Sequence, residues 1–197
     1  FEEEAVTIED LIAIARDIQV DELILPDVIG NGRESLRKTI NAINYINSEC
    51  DELFGEMNIM AVAQGETLSD WVRCANWLLQ FPIDCLAVPK KLLEIALDAR
   101  LKAVGHIYNQ LNFCKIHLLG CSEDPWEPHR IQQQYGDIIQ GVDSSIPYVY
   151  ALSDKLITDG ERPDCTIDFE ESQACDLDIL EVNITAWSEG VGAGTDE

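Results

Sequence analysis

Basic residues are scarce in this sequence, which carries 13 lysines and arginines against 37 aspartates and glutamates and has a formal net charge of −24. A surface of that charge repels phosphate groups, which by itself argues against a nucleic-acid partner. Two circumstances would remove this objection. High cellular salt would screen the repulsion to within a few ångströms, or a basic surface would be supplied by another chain or by a further segment of the protein.

Long apolar runs are also missing. No stretch reaches the roughly 18 uncharged apolar residues that a membrane helix needs. The opening residues, FEEEAVTIED, have neither the basic start nor the apolar centre of a signal peptide. We therefore expect a cytoplasmic protein without a membrane partner. Because the chain opens on Phe1 rather than on methionine, we also expect that a segment precedes it.

Closely spaced cysteine pairs are absent, although the chain has seven cysteines. An odd number of cysteines without a CxxC pair, in a chain large enough to fold without disulfides, predicts reduced thiols in an intracellular protein. Cys114 and His117 suggest a metal site only weakly, because their spacing within an apparent strand points the two side chains to opposite faces. We expect neither a metal nor a cofactor.

Apolar segments alternate with helical patterns along most of the chain. Strands are predicted within ELILP, MNIMAVAQG, DCLAVPKK, NFCKIHLLGCS and IIQGVDSS. Helices are predicted over 7–18, 33–50, 68–81, 92–104, 124–136 and near 169–187. Apolar strands that do not alternate in polarity, each followed by a helix, indicate a parallel sheet covered by helices.

Such a sheet is either doubly wound or part of a (β/α)8 barrel. No GxGxxG or GxxxxGK[ST] motif occurs, which disfavours the nucleotide-binding doubly wound folds. Five strand and helix units are too few for a closed barrel of about 250 residues. We therefore predict an incomplete TIM-barrel-type α/β domain over residues 1–157 that lacks its N-terminal units. Residues 158–197 are expected to form an acidic loop, a C-terminal helix and a tail.

Polar residues and glycines follow the predicted strands, where parallel sheets bind their ligands. Each also has a purely structural interpretation, as a helix cap, as a turn or as the solvated start of a helix. The candidates are Asp27, Gln64, Gly65, Lys90, Gly120, Cys121, Asp143 and Ser144.

The order of these strand ends resembles the queuine/archaeosine tRNA-guanine transglycosylase family. The segments that carry the resemblance are LILPDVIGNG, IMAVAQG, DCLAVPKK, KIHLLGC and GVDSSIP, and it covers residues 20–150. The likeness is greatest to phage and bacterial relatives that insert 7-deazaguanines into DNA, since the cysteine-rich zinc loop of the tRNA enzymes is not present. It implies exchange of guanine for a 7-deazaguanine in DNA, or less readily in tRNA, in the cytoplasm of a virus-infected or high-salt-adapted host.

The resemblance also implies roles for individual residues. Asp143 would be the nucleophile that attacks C1′ of the target nucleotide, although in the strict family register Ile146 holds that position. Asp27 would hold the Watson–Crick edge of the base, and an acceptor-only carboxylate suits the N1–H and amino group found there. Gln64 would contact the same base, most readily at its carbonyl.

Four further residues complete the implied site. Gly65 and Gly120 would line the base pocket beside the strand ends. Lys90 and Lys91 would contact phosphate, at the place where Pro89 and Lys90 replace the glycine pair of the family.

Two other interpretations stay open. The chain is either a non-catalytic binding or structural protein that keeps a degenerate barrel, or an unrelated barrel enzyme in which Asp27 and Asp143 act as an acid and base pair.

The acidity leads to a first testable expectation. If the chain belongs to a high-salt environment, its melting temperature should rise between low salt and molar salt, because ions screen the mutual repulsion of the carboxylates. Thermal unfolding followed by circular dichroism at the two salt concentrations measures this. Equal melting temperatures would contradict the high-salt origin.

Overall fold

The computed structural model describes residues 7–94, 96, 98–109, 115–120, 124–160, 162–164 and 174–190. Within these ranges the chain forms one all-parallel sheet of five strands, accompanied by eight α-helices. The strands are β1 (Glu22–Ile24), β2 (Asn58–Val62), β3 (Cys85–Pro89), β4 (Lys115–Leu119) and β5 (Ile139–Val142). The helices are α1 (Ile8–Asp17), α2 (Gly32–Glu49), α3 (Leu53–Glu56), α4 (Leu68–Leu78), α5 (Ala99–Tyr108), α6 (Glu127–Tyr135), α7 (Ile146–Ala151) and α8 (Leu177–Ser188).

Local sequence accounts for where several helices begin and end. Thr7 and Thr67 cap α1 and α4, and each hydroxyl accepts a hydrogen bond from the backbone N–H three residues later. Gly136 ends α6 with a positive φ of 48°, a conformation that glycine adopts without strain. The two threonine caps and the glycine stop are thus properties of the local sequence.

The sheet keeps the order of the chain, β1-β2-β3-β4-β5. In the first two pairs, Leu23 lies beside Ile59 and Ala61 lies beside Leu86. Every residue of β3 is buried, as is every residue of β2 after Asn58, so both faces of these strands are covered. This burial explains the continuous apolar runs in the sequence, and the predicted parallel α/β arrangement is confirmed.

The first core cluster joins the early strands to α2. Leu25 and Ile59 from the sheet pack with Ile43 and Ile46 from α2, and all are at most 1% exposed. Ile43 and Ile46 lie three residues apart on one helical face, as the amphipathic pattern of residues 33–50 predicts.

Several helices differ from the sequence prediction, including the short α3, which was not expected. The segment 92–104 is not one helix. A 3₁₀ helix occupies Lys90–Glu94, and α5 begins at Ala99, with Asp98 as its N-cap. The helix that directly follows β5 is α7, whose Pro147 is tolerated in the first turn. The helix expected near 169–187 is α8, which starts at Leu177.

The chain divides into two compact units. The first extends to His117 and includes Ile138–Gln140, and the second comprises Leu118–Asp137 and residues from Gly141 onward. The boundary expected near residue 157 stays a prediction, since it rests on composition alone.

Within the first unit, the two outermost strands meet through their side chains. Gln140 Nε2 of β5 lies 3.2 Å from both carboxylate oxygens of Glu22, which begins β1. In a flat sheet the first and fifth strands would be separated by about 19 Å, at about 4.8 Å per interval. The sheet is therefore strongly curled at the end where its strands begin.

Candidate functional site

Asp27 lies just beyond the carboxyl end of β1. The backbone N–H of Leu25 donates to the carbonyl of Met60 at 2.8 Å, which continues the pairing with β2 past Ile24. Pro26 and the half-buried Asp27 follow, and the chain then turns away toward α2. The strand thus delivers a carboxylate to the edge of a parallel sheet, where the sequence predicts a ligand.

Gln64 meets Asp27 from the neighbouring strand end. Its side-chain Nε2 donates a hydrogen bond of 2.6 Å to Asp27 Oδ2, while its Oε1 accepts one of 3.0 Å from the backbone N–H of Gly30. Because Gly30 N–H needs an acceptor, this network fixes which end of the amide faces Asp27. Gln64 is only 3% exposed, so the two bonds hold a buried amide in one orientation.

The loop between β1 and α2 is held independently of Asp27. The hydroxyl of buried Ser35 accepts from Val28 N–H at 2.8 Å and donates to the Val28 carbonyl at 3.0 Å. The side chain of Asn31 caps α2 by accepting from Glu34 N–H. The structural interpretation of Asp27 as the helix cap is therefore set aside.

The Asp27 and Gln64 pair retains hydrogen-bonding capacity. The Oδ1 atom of Asp27 accepts no hydrogen bond from the part of the chain that the structure describes, and the amide nitrogen of Gln64 has a second hydrogen. An acceptor and a donor thus lie side by side at the strand ends. This pattern is complementary to a ring edge that offers an N–H beside a carbonyl.

Gly65 is required by packing. A Cβ atom at this buried position would lie 2.3 Å from the backbone nitrogen of Trp71 and 2.8 Å from its Cα. The strand end therefore approaches the first turns of α4 so closely that only glycine fits. A role of Gly65 in base binding stays a prediction.

Asp143 and Gly120 come together in the second unit. Asp143 follows β5 directly, and its backbone N–H donates to the Leu118 carbonyl at 3.3 Å. Its exposed carboxylate accepts a hydrogen bond of 3.1 Å from the N–H of Gly120, which has a positive φ of 67°. Ile146, which holds the nucleophile position in the strict register of the resemblance, is buried at the start of α7. The acid that directly follows β5 is Asp143.

The structure describes the two predicted lysines but not the two candidate cysteines. Lys90 and Lys91 are exposed in the 3₁₀ helix that follows β3, at the carboxyl end of that strand. Cys121 and Cys114 lie outside the described residues. Among the residues that are described, no three histidine, cysteine, aspartate or glutamate side chains cluster as a metal site would require.

Cys74 is a neighbour of the pair that the sequence did not reveal. Burial raises the pKa of its thiol, and the nearby Asp27 charge adds to the rise, although a backbone hydrogen bond from Gln64 opposes it. Its Sγ donates to the Gly32 carbonyl at 3.5 Å. The helical pattern of residues 68–81 predicted that α4 has a buried face. It did not predict that Cys74 lies beside the strand ends, because that contact depends on how α4 packs in the folded chain.

None of the helices within the described ranges is both long and apolar enough to cross a membrane.

Comparison with models of known protein families finds none that matches this chain, and comparison with curated proteins finds no match.

Proposed function

We propose that the chain carries the base-exchange site of a transglycosylase that replaces guanine by a 7-deazaguanine in a nucleic acid, with DNA favoured over tRNA. The observation that carries this proposal is the hydrogen-bonded pair of Asp27 and Gln64 at adjacent strand ends. The order of the strand-end segments, which resembles the transglycosylase family, supplies the reaction.

The pair suits guanine because of what each side chain has left to offer. Asp27 Oδ1 can accept from N1–H or from the exocyclic amine, and the second amide hydrogen of Gln64 can donate to the neighbouring carbonyl. A 7-deazaguanine presents the same edge, so both substrates of an exchange reaction would be held alike. A buried amide that is already oriented by Gly30 loses little freedom when the base binds.

Asp143 would act as the nucleophile. Its carboxylate attacks C1′, the bond from C1′ to the guanine nitrogen breaks, and guanine leaves with that electron pair and gains a proton. The deazaguanine then loses a proton, attacks C1′ and releases the carboxylate of Asp143. The target base must first leave its stack.

The same proposal extends to the architecture. We propose that the sheet is part of a TIM-barrel-type fold, completed by a further segment or another chain. The sequential strand order supports this, since doubly wound sheets reverse their order near the middle. The curl that brings Gln140 to Glu22 supports it as well.

The test is an exchange assay with the full chain. Guanine-containing single-stranded DNA, or tRNA in a parallel reaction, carries radiolabelled guanine and is incubated with an excess of a 7-deazaguanine base. Loss of label from DNA, faster than from tRNA, is the expected result. Retention of label in both nucleic acids would contradict the proposal and favour a non-catalytic protein.

Asp27→Asn should impair exchange while sparing the fold. The asparagine carbonyl can still accept from Gln64, but its amide group would then face the N1–H of guanine, donor against donor. We expect kcat/KM to fall by about 10- to 150-fold, the loss that follows from one hydrogen bond to a charged group worth about 1.5–3 kcal/mol.

Asp17→Asn is the matched control, because Asp17 is an exposed acid at the end of α1. Label-release kinetics and urea unfolding of both variants separate recognition from stability. Unchanged kinetics in Asp27→Asn would remove Asp27 from base recognition.

A further inference from the structure

A cavity lies in the first unit, between α2 and α4. Its volume is about 440 Å³, within the range of small-molecule sites. We call it the α2–α4 groove, and the lining residues that matter are Gly30, Arg33, Leu36, Arg73, Cys74 and Trp77. The groove thus combines apolar side chains with guanidinium groups.

Arginines concentrate around this groove in a chain that has few basic residues. Arg33 and Arg73 line it, and Arg37 lines an adjoining depression that shares Arg33. These are three of the seven arginines of the chain, on a protein whose formal net charge is −24. Because these arginines offset the nearby carboxylates, an anion is repelled less here than over the acidic remainder of the surface.

The guanidinium groups differ in how strongly they are engaged. Arg33 forms no salt bridge with any residue that the structure describes, whereas Arg37 is held by Glu34. Arg73 lies 3.4 Å from Asp70, with side chains 70% and 40% exposed, and such exposed pairs are weak. Glu66 and Asp70 also line the groove, so two guanidinium groups face two carboxylates and its formal charge is balanced.

Trp77 supplies a stacking surface. It is 51% exposed on α4, while Trp71 of the same helix is fully buried. A half-exposed aromatic ring beside arginines suits the binding of unpaired nucleotides, because every nucleotide has a base whose face can stack and a phosphate that can pair with a cation.

The groove adjoins the Asp27 and Gln64 pair. Gly30 lines the groove and donates its N–H to the side chain of Gln64. Cys74 also lines the groove, and the negative charge of Asp27 contributes to the raised pKa of its thiol. A Cβ on Gly32, another lining residue, would lie 2.3 Å from the Gln64 carbonyl oxygen. A chain of nucleotides that places one base at the pair would therefore pass close to the groove.

We propose that the α2–α4 groove binds the nucleotide next to the exchanged one, with its base stacked on Trp77 and its phosphate held by Arg33 and Arg73. The proposal rests on the proposed function and names its substrate as an unpaired segment of DNA. It also explains how so acidic a protein accepts a polyanion, since the interaction is local and Arg33 forms no salt bridge with a carboxylate among the described residues.

The binding test uses the full chain and a fluorescein-labelled single-stranded DNA 12-mer, followed by anisotropy over a range of salt concentrations. Trp77→Ala should weaken binding about tenfold, within the range found for base and aromatic stacking, and Trp77→Phe should restore most of it. Replacing Arg33 and Arg73 by alanine should lower the slope of log K against log salt by about 0.7 for each arginine that pairs with a phosphate. The Lys102→Ala control removes an exposed charge on α5 that does not line the groove.

The outcomes separate this proposal from the exchange reaction. Groove-dependent binding of the 12-mer without label release supports the groove and contradicts the exchange activity. Label release with unchanged affinity and salt slope in the groove variants contradicts the groove and leaves the exchange activity standing. Failure of the 12-mer to bind the native chain also overturns the proposal. Equal competition by free dGMP at the same concentration does so too, because the groove would then not prefer a polynucleotide segment to a single nucleotide.

Discussion

Asp143→Asn is expected to lower the rate of guanine exchange at least about 1000-fold, since a neutral amide cannot form the covalent bond that the proposed reaction requires. The fold should persist. The side chain is exposed at the end of β5, and the asparagine carbonyl can still accept the hydrogen bond from Gly120 N–H. The measurement is label release from DNA, accompanied by trapping of the protein and DNA adduct on a denaturing gel.

Asp164→Asn provides the control for Asp143, because Asp164 is an exposed acid of the same unit and carries no assigned role. Its exchange rate should equal that of the native chain. Native-level exchange by Asp143→Asn would exclude Asp143 as the nucleophile. An adduct that still forms in that variant would point to another attacking group.

Gly65→Ala should destabilise the first unit by about 3 kcal/mol, the upper part of the range for overpacking. The added methyl would meet backbone atoms of Asp70 and Trp71 at 2.3–2.9 Å, and backbone cannot turn aside as a flexible side chain can. In a chain of this size the corresponding fall in Tm is about 6–12 °C. Urea unfolding at neutral pH measures the free energy of unfolding directly.

Gly55→Ala is the matched substitution, because a Cβ there has no atom within 4 Å and the residue lies in α3. It should leave stability unchanged or raise it by up to about 1 kcal/mol, through the lower entropy of the unfolded chain. Equal stability of the two variants would show that α4 can shift to admit the methyl group.

The sequence predicted the elements better than the contacts between them. Period and composition are local properties, so the buried strands and the caps at Thr7 and Thr67 were predictable from a few residues each. The prediction of one helix over 92–104 was wrong because the apolar spacing continues on both sides of Asp98, which the structure places at the N-cap of α5. Helical periodicity does not mark an interruption of this kind.

The candidate site shows the same limit. Asp27 and Gln64 were predicted to share an edge because parallel strands end together, and the structure joins them by a hydrogen bond. The sequence could not predict the hydrogen bond from Gly30 to the Gln64 side chain or the nearness of Cys74 to Asp27. Both depend on the tertiary packing of the loop before α2. The arginines around the α2–α4 groove are separated by up to 40 positions in the chain, and only the packing of α2 on α4 gathers them.

The hydrogen bonds between Gln140 and Glu22 join side chains, whereas the backbones of β1 and β5 stand at the two ends of the strand order. An exposed strand edge is a template for pairing with a further strand. In the barrel proposed above, the additional strands would pair with these two edges, and the side-chain contact of Glu22 and Gln140 would hold the edges at a fixed separation while they do so.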